Sequence, residues 1–315
     1  MRRPLLVITV VGLAVLVILP IVLSITRRNP APLEGFRGIK VLMPSGKVET
    51  LQLEDYLVGV VAAEMPAQFE PEALKAQAVA ARTYAVRKLA ANKGSAEYDV
   101  DTTERSQAWI SDQQMRSKWG VLRYLTNRNK VANAVQETKG CVLAFEGAYV
   151  QAFYFSSAGR LPTEKAEEVW GASLPYLTNI DAEEGELGNF VVRTTLTAKE
   201  LDAKLGTSLA KNTKLKGSDV TITERTAAGR AKTVKIGSKT MQATQFRTQL
   251  ALKSTDFTLS IEKNQVVITS YGNGHAVGMS QYGANALAKK GVKFPEILGH
   301  YYPGTELLNI DQAKD

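Results

Sequence analysis

The chain has 315 residues, 44% hydrophobic and 22% charged, enough for one large or two ordinary domains. Its 39 lysines and arginines against 31 acids give +8, but four of those arginines lie in residues 1–28, which hold no acid; the rest is 35 against 31, or +4. That mild excess, without a long basic run or basic–aromatic interleaving, argues against a nucleic-acid binder, and a single cysteine excludes a disulfide framework.

Leu5 to Thr26 is a stretch of 22 residues without charge, long enough to span a bilayer. It ends in Ser24-Ile25-Thr26-Arg27-Arg28 rather than an Ala-x-Ala-like exit, so residues 1–28 are expected to form an uncleaved signal-anchor. A long downstream domain usually translocates. The expected location is therefore the cell membrane, single-pass, with the domain on the exoplasmic side. The lone Cys141 agrees with that compartment and reads as a small core residue. Residues 29–36 form a Pro-containing linker, and 37–315 the functional domain.

Ile39–Met43 and Val48–Leu51 read as a hairpin around Pro44-Ser45-Gly46. Two helices with a tight elbow are then predicted over Leu53 to Leu89. In the first, Leu53, Leu57, Val60 and Glu64 share one stripe, so an apolar face ends in a carboxylate. Met65-Pro66 stops that helix. A Glu at a helix C-terminus meets the negative end of the dipole, and apolar surroundings disfavour its charge, which suits a general acid. The second helix opens at Pro71. Lys75 and Arg82 fall on its apolar side, with Gln77 and Tyr84 pointing elsewhere. Two cations on such a face need an anion. Glu64 and an anionic substrate are the two candidates, and a Glu64–cation pair could equally be a structural staple.

Residues 96–130, with Gln107-Ala108-Trp109, read as a polar loop with short helices, and 131–138 as a helix. Val142–Phe145 and Tyr149–Phe155 read as a strand pair broken by Ser156-Ser157-Ala158-Gly159, a turn or a binding rim. Residues 190–262 read as a β-rich middle lobe without a catalytic constellation. Gln265–Ser270 leads through Gly272-Asn273-Gly274-His275-Ala276-Val277-Gly278 into a helix from Ser280. The glycines allow close backbone approach to a ligand, but their spacing is wrong for a dinucleotide fingerprint. His275, one of two histidines, is a candidate site residue; His300 reads as structural. The expected fold class is α+β: an N-terminal transmembrane helix, then a mixed helix and antiparallel-sheet domain with a groove between two lobes.

Three elements together, VVAAEMPAQFEPEALKAQAVAARTYA, then EEVWG with PYL, then GNGHAVGMSQYGA with FPEILGHYYPGTEL, resemble the stage II sporulation protein D family and its amidase-enhancer relatives over most of residues 40–310. The resemblance implies a lytic transglycosylase. It would cut peptide-free peptidoglycan between N-acetylmuramic acid and N-acetylglucosamine, leaving 1,6-anhydro ends, in septal wall remodelling and engulfment during sporulation. It implies two partners, the stage II sporulation proteins P (an amidase) and M (a membrane scaffold). Glu64 falls on the family's essential acid. The expected substrate-binding set is Lys75, Arg82, Tyr84, Gln107, Ser156, Ser157, His275, Ser280, Gln281 and Tyr282. The alternative is a non-catalytic wall-binding activator of an amidase. Many relatives carry a His and a Gly-Gly where this chain has Phe155 and Gly159-Arg160. Some relatives hold zinc, but Cys141, His275 and His300 lack ligand spacing, so neither metal nor cofactor is expected.

Overall fold

The computed structural model describes residues 38–310, apart from 93, 104 and 186–189. Strand β1 (Gly38–Leu42) alternates, burying Ile39 and Val41, and pairs antiparallel with β2 (Val48–Gln52). Helix α1 (Leu53–Glu64) buries Tyr56, Leu57, Val60 and Val61. Helix α2 (Pro71–Asn92) has its buried positions on most of its circumference, many of them alanines. Small side chains let neighbours approach on several sides, so α2 becomes the centre of the larger core. Strand β3 (Val100–Asp101) adds parallel to β1.

Helix α3 (Asp112–Glu137) is where sequence and structure differ most. A capping box of Ser111 and Gln114 starts it, and Gly120, at φ 71°, breaks it into two pieces. It buries only Met115, Tyr124, Val131, Ala134 and Val135, too few in its first half to leave a helical period in the sequence. Strand β4 (Cys141–Phe145) pairs with the short β5 (Ala148–Tyr149). The expected strand Tyr149–Phe155 is split: β6 (Tyr154–Phe155) leaves that sheet and a five-residue helix, α4 (Ala166–Trp170), follows.

A second core gathers Leu201, Val234, Phe246, Phe257 and Ile268. Around it lie β7 (Val191–Leu196), α5 (Ala198–Leu205), β8 (Val220–Arg225), β9 (Ala231–Ile236), β10 (Lys239–Gln242), α6 (Ala243–Leu250), β11 (Phe257–Glu262) and β12 (Gln265–Tyr271). They make two antiparallel sheets, β10-β9-β8 and β11-β12-β7. The chain then returns to the first core. Strand β13 (Met279–Ser280) lies parallel to β6, α7 (Gln281–Lys289) and α8 (Phe294–Tyr301) follow, and β14 (Glu306–Asn309) pairs with β4. Buried charges stitch the second core to the first: Arg230 donates to the carbonyls of Ala158, Leu161 and Pro162, and Asp256 accepts from Arg160.

The α+β part of the expectation stands, with mostly antiparallel sheets. The N-terminal transmembrane helix, and with it the single-pass membrane location, is corrected. No helix among the described residues is long and apolar enough to cross a membrane; the segment 1–28 itself lies outside the described residues.

Candidate functional site

Glu64 is the last residue of α1. Pro66 forces Met65 into an extended conformation, φ −115° and ψ 145°, and turns the chain away from the carboxylate. One carboxylate oxygen accepts from the backbone N–H of Ala108 at 3.1 Å and the other from Gln281 Nε2 at 3.3 Å. The segment carrying Ala108 reaches α1 because of Gly59: a Cβ there would stand 2.1 Å from Trp109 Nε1. Behind Glu64, Gln107 is buried and joins three groups. It accepts from Tyr56 Oη at 3.2 Å and donates to Tyr154 Oη at 3.0 Å and the Ala81 carbonyl at 3.3 Å. Burial first, and the Glu64 charge after it, push the Tyr154 phenol far up; Tyr56 is raised by burial, Tyr84 and Glu64. Both stay protonated, Tyr56 as a donor to Gln107 and Tyr154 as an acceptor from it.

Lys118 of α3 caps the end of α1, its ammonium 2.9 Å from the Ala62 carbonyl and 3.4 Å from that of Ala63. A cation there satisfies orphan carbonyls and opposes the negative dipole end. Desolvation at the helix end pushes the Lys118 pKa down, and Glu64 pulls it back up.

Two hollows, of about 460 and 550 Å³, meet at Glu64 and share Ala63, Ser156 and Gln281. The first is walled by Lys118, Trp119, Arg123 and Tyr282. Tyr282 is held edge-on between Phe69 and Phe190, with ring centroids 4.9 and 4.6 Å away. The second is walled by Tyr84, Arg105, Trp170, Arg247 and His275. The His275 ring lies 5.1 Å from Trp170, 5.7 Å from Phe155 and 6.1 Å from Phe153. Its Nδ1 accepts from the Val277 N–H at 3.1 Å, which leaves the neutral ring's proton on Nε2. Burial, and then Arg247, push its pKa down to about 4. The loop fits so closely because Gly278, at φ +79°, would bring a Cβ within 2.0 Å of the Phe153 carbonyl.

Of the expected residues, Glu64, Tyr84, Gln107, Ser156, His275, Gln281 and Tyr282 line the hollows. Ser157 and Ser280 lie just behind, both buried and both donating to Glu184. Lys75 and Arg82 are elsewhere, and the expectation that either meets Glu64 is corrected. Lys75 pairs with Glu72 at 2.9 Å and Glu137 at 2.6 Å. Arg82 is fully buried and gives Glu54 a bidentate pair at 3.0 and 2.6 Å. Gln77, expected on an outer face, is also fully buried and lies 3.5 Å from Gln281 Nε2. Lys118, Arg123, Arg105 and Arg247 were missed. Lys118, Arg123 and Arg105 sit in polar runs without period, Arg247 lies on a short helix that buries Ala243, Phe246 and Leu250, and only the proximity of the four to Glu64 marks them. Among the described residues no group of three or more His, Cys, Asp or Glu side chains is placed to hold a metal ion.

A family model described as stage II sporulation protein matches residues 44–145, which contain Glu64, Gln107 and Lys118. The stage II sporulation protein D of Bacillus amyloliquefaciens is 38% identical over 270 residues, covering 84% of this chain and 76% of that protein. The protein of the same name from Bacillus subtilis (strain 168) is 38% identical over 273 residues, with the same two shares. An amidase enhancer of Bacillus subtilis (strain 168) is 32% identical over 307 residues, 80% of this chain and 40% of that protein. The chain belongs to the stage II sporulation protein D family.

Proposed function

We propose that the chain is a peptidoglycan lytic transglycosylase with Glu64 as its one acid–base group, acting in wall remodelling during sporulation. One observation carries the reading. Glu64 stands where two hollows meet, and among the described residues that line them it is the only carboxylate. Hydrolysis with a pair of carboxylates needs a second one across the bond. Transglycosylation of muramic acid needs one. The protonated Glu64 gives its proton to the glycosidic oxygen as the C1–O4 bond breaks. The carboxylate then takes the proton of the sugar's own 6-hydroxyl as O6 bonds to C1. The acid returns to its starting form, a 1,6-anhydro ring is made, and no water is consumed. Gln281 and the Ala108 N–H hold the carboxyl in place, an orientation effect of the kind that makes a single group effective.

A second reading is favoured by the relative named amidase enhancer: a wall-binding module that stimulates an amidase and uses the groove without the acid. Peptide-free glycan strands incubated with wild type and Glu64→Gln, with products weighed by mass spectrometry, separate the two. Ends one water lighter than hydrolysed ends, absent with Glu64→Gln, are expected. Hydrolysed ends would mean a second carboxylate. Binding without cleavage would favour the enhancer reading.

A further inference from the structure

The break at Gly120 leaves an apolar tip on the surface. In the turn of α3 that follows it, Val121 is 89% exposed, Leu122 95% and Leu125 63%. At about 100° per residue the three fall within roughly 100° of one another, turned away from Tyr124 and Val131, which α3 buries. Among the described residues no other element exposes more than one large apolar side chain. Gly120 stands open as well, with nothing within 4 Å of where a Cβ would be. The charge around the tip has one sign. Residues 113–136 hold five cations, Arg116, Lys118, Arg123, Arg128 and Lys130, and no acid. By the same helical spacing Arg128 flanks the tip on one side, and Arg123 and Lys130 on the other. Arg128 also reaches back to Asp112 at 2.9 Å.

An apolar strip flanked by cations is the pattern of a helix that lies in a membrane interface, its apolar side chains sunk among the headgroups and its cations on anionic lipid. Three side chains on one helical turn are too few for a stable protein interface, which covers about 800 Å² a side. Lipid takes protruding side chains one at a time and needs no matching groove. We infer that the tip of α3 docks on the surface of a membrane that contains anionic lipid. It enters from one side and does not cross, since α3 is not apolar enough to span. The same stretch also walls the first hollow, through Lys118, Trp119 and Arg123. Docking therefore holds the mouth of that hollow beside the lipid surface and directs Glu64 to ligands lying next to the membrane. The inference does not rest on the transglycosylase reading, because the tip is built and tested without any cleavage.

The test uses the full chain and a local probe, so that contact of any other segment with lipid does not enter the reading. Cys141→Ala removes the native thiol. A fluorophore is then placed on Thr126→Cys, exposed on the same face as Leu122, or on Ser238→Cys, exposed in the turn between β9 and β10, as the control. Vesicles of equal parts phosphatidylcholine and phosphatidylglycerol carry bromine on their acyl chains, which quenches only a fluorophore that reaches them. Quenching is expected at position 126 and not at 238, weaker on phosphatidylcholine alone and falling with salt. Leu122→Ser with Leu125→Ser should lower the vesicle affinity read at 126 by about tenfold or more, and Lys130→Gln by about fivefold. Both leucines are exposed, so the fold does not depend on them, and the comparison of lipids needs neither variant. No quenching at 126, equal quenching at 126 and 238, or quenching unmoved by the leucine and lysine changes overturns the inference. Concentration-dependent association of the chain that the leucine variant loses, without quenching by lipid, would assign the tip to a second copy and overturn it as well.

Discussion

Arg82 offers the sharpest test of how the core is built. Its five N–H donors meet five acceptors: Nε and Nη2 on the two oxygens of Glu54, Nη2 also on the Val135 carbonyl at 3.0 Å, and Nη1 on Thr138 Oγ1 at 3.4 Å and the Cys141 carbonyl at 3.3 Å. One side chain of α2 thus ties the start of α1, the end of α3 and the start of β4. Arg82→Met keeps the volume of the stem and removes the charge. Glu54, a quarter exposed, is left unpaired, at about 3 kcal/mol, the lower end for a broken buried pair. Two buried carbonyls lose a donor, at roughly 1 kcal/mol each. The expected loss is about 3–5 kcal/mol, read as a fall in urea midpoint with unchanged slope. In a cycle with Glu54→Gln the two changes should be strongly non-additive, because the second removes the charge that the first strands. An Arg82→Met protein that keeps its urea midpoint and loses glycan cleavage would refute this account and return Arg82 to the substrate.

His275 gives a pH prediction. Its folded pKa, about 4, is below the ordinary 6.5, so the unfolded chain holds more protons between those values. Stability from this group is complete above pH 6.5 and falls as pH drops towards 4, by as much as about 3 kcal/mol; His275→Gln should lack that part of the slope in denaturant midpoints taken from pH 7 to 5. Gly278→Ala must place a Cβ at a positive φ and against the Phe153 carbonyl, and should cost roughly 2–5 kcal/mol in the same assay. Lys118→Met removes the cation on the last carbonyls of α1 and should cost about 1 kcal/mol; it should also move the pH–activity profile towards the alkaline side, which a merely structural lysine would leave in place.

What the sequence discloses follows how local the cause is. The elbow between α1 and α2 is legible because Pro66 and Pro71 act on their own neighbours, and Glu64 is legible because a four-position stripe ends on it. The Gly-rich loop around His275 is legible for the same reason, as are the strands β11, with its alternation, and β12, with its apolar run of Val266, Val267 and Ile268. Pairing across the fold is another matter. Lys75 and Arg82 do lie on a buried face, as their spacing says, but three acids on three elements, Glu54, Glu72 and Glu137, compete with Glu64 for them, and only the packing of α1, α2 and α3 decides. Lys118 and Arg123 stay hidden for a different reason. The first half of α3 buries almost nothing, so it leaves no period, yet the break at Gly120 turns that polar stretch over the end of α1. The two errors are linked. Pairing Glu64 with α2 would have buried the acid in an ion pair inside the core. The structure instead places those cations with other carboxylates, holds Glu64 with an amide and a backbone N–H, and sets the cations of α3, of the loop before it and of α6 along the walls of the two hollows that meet at the acid.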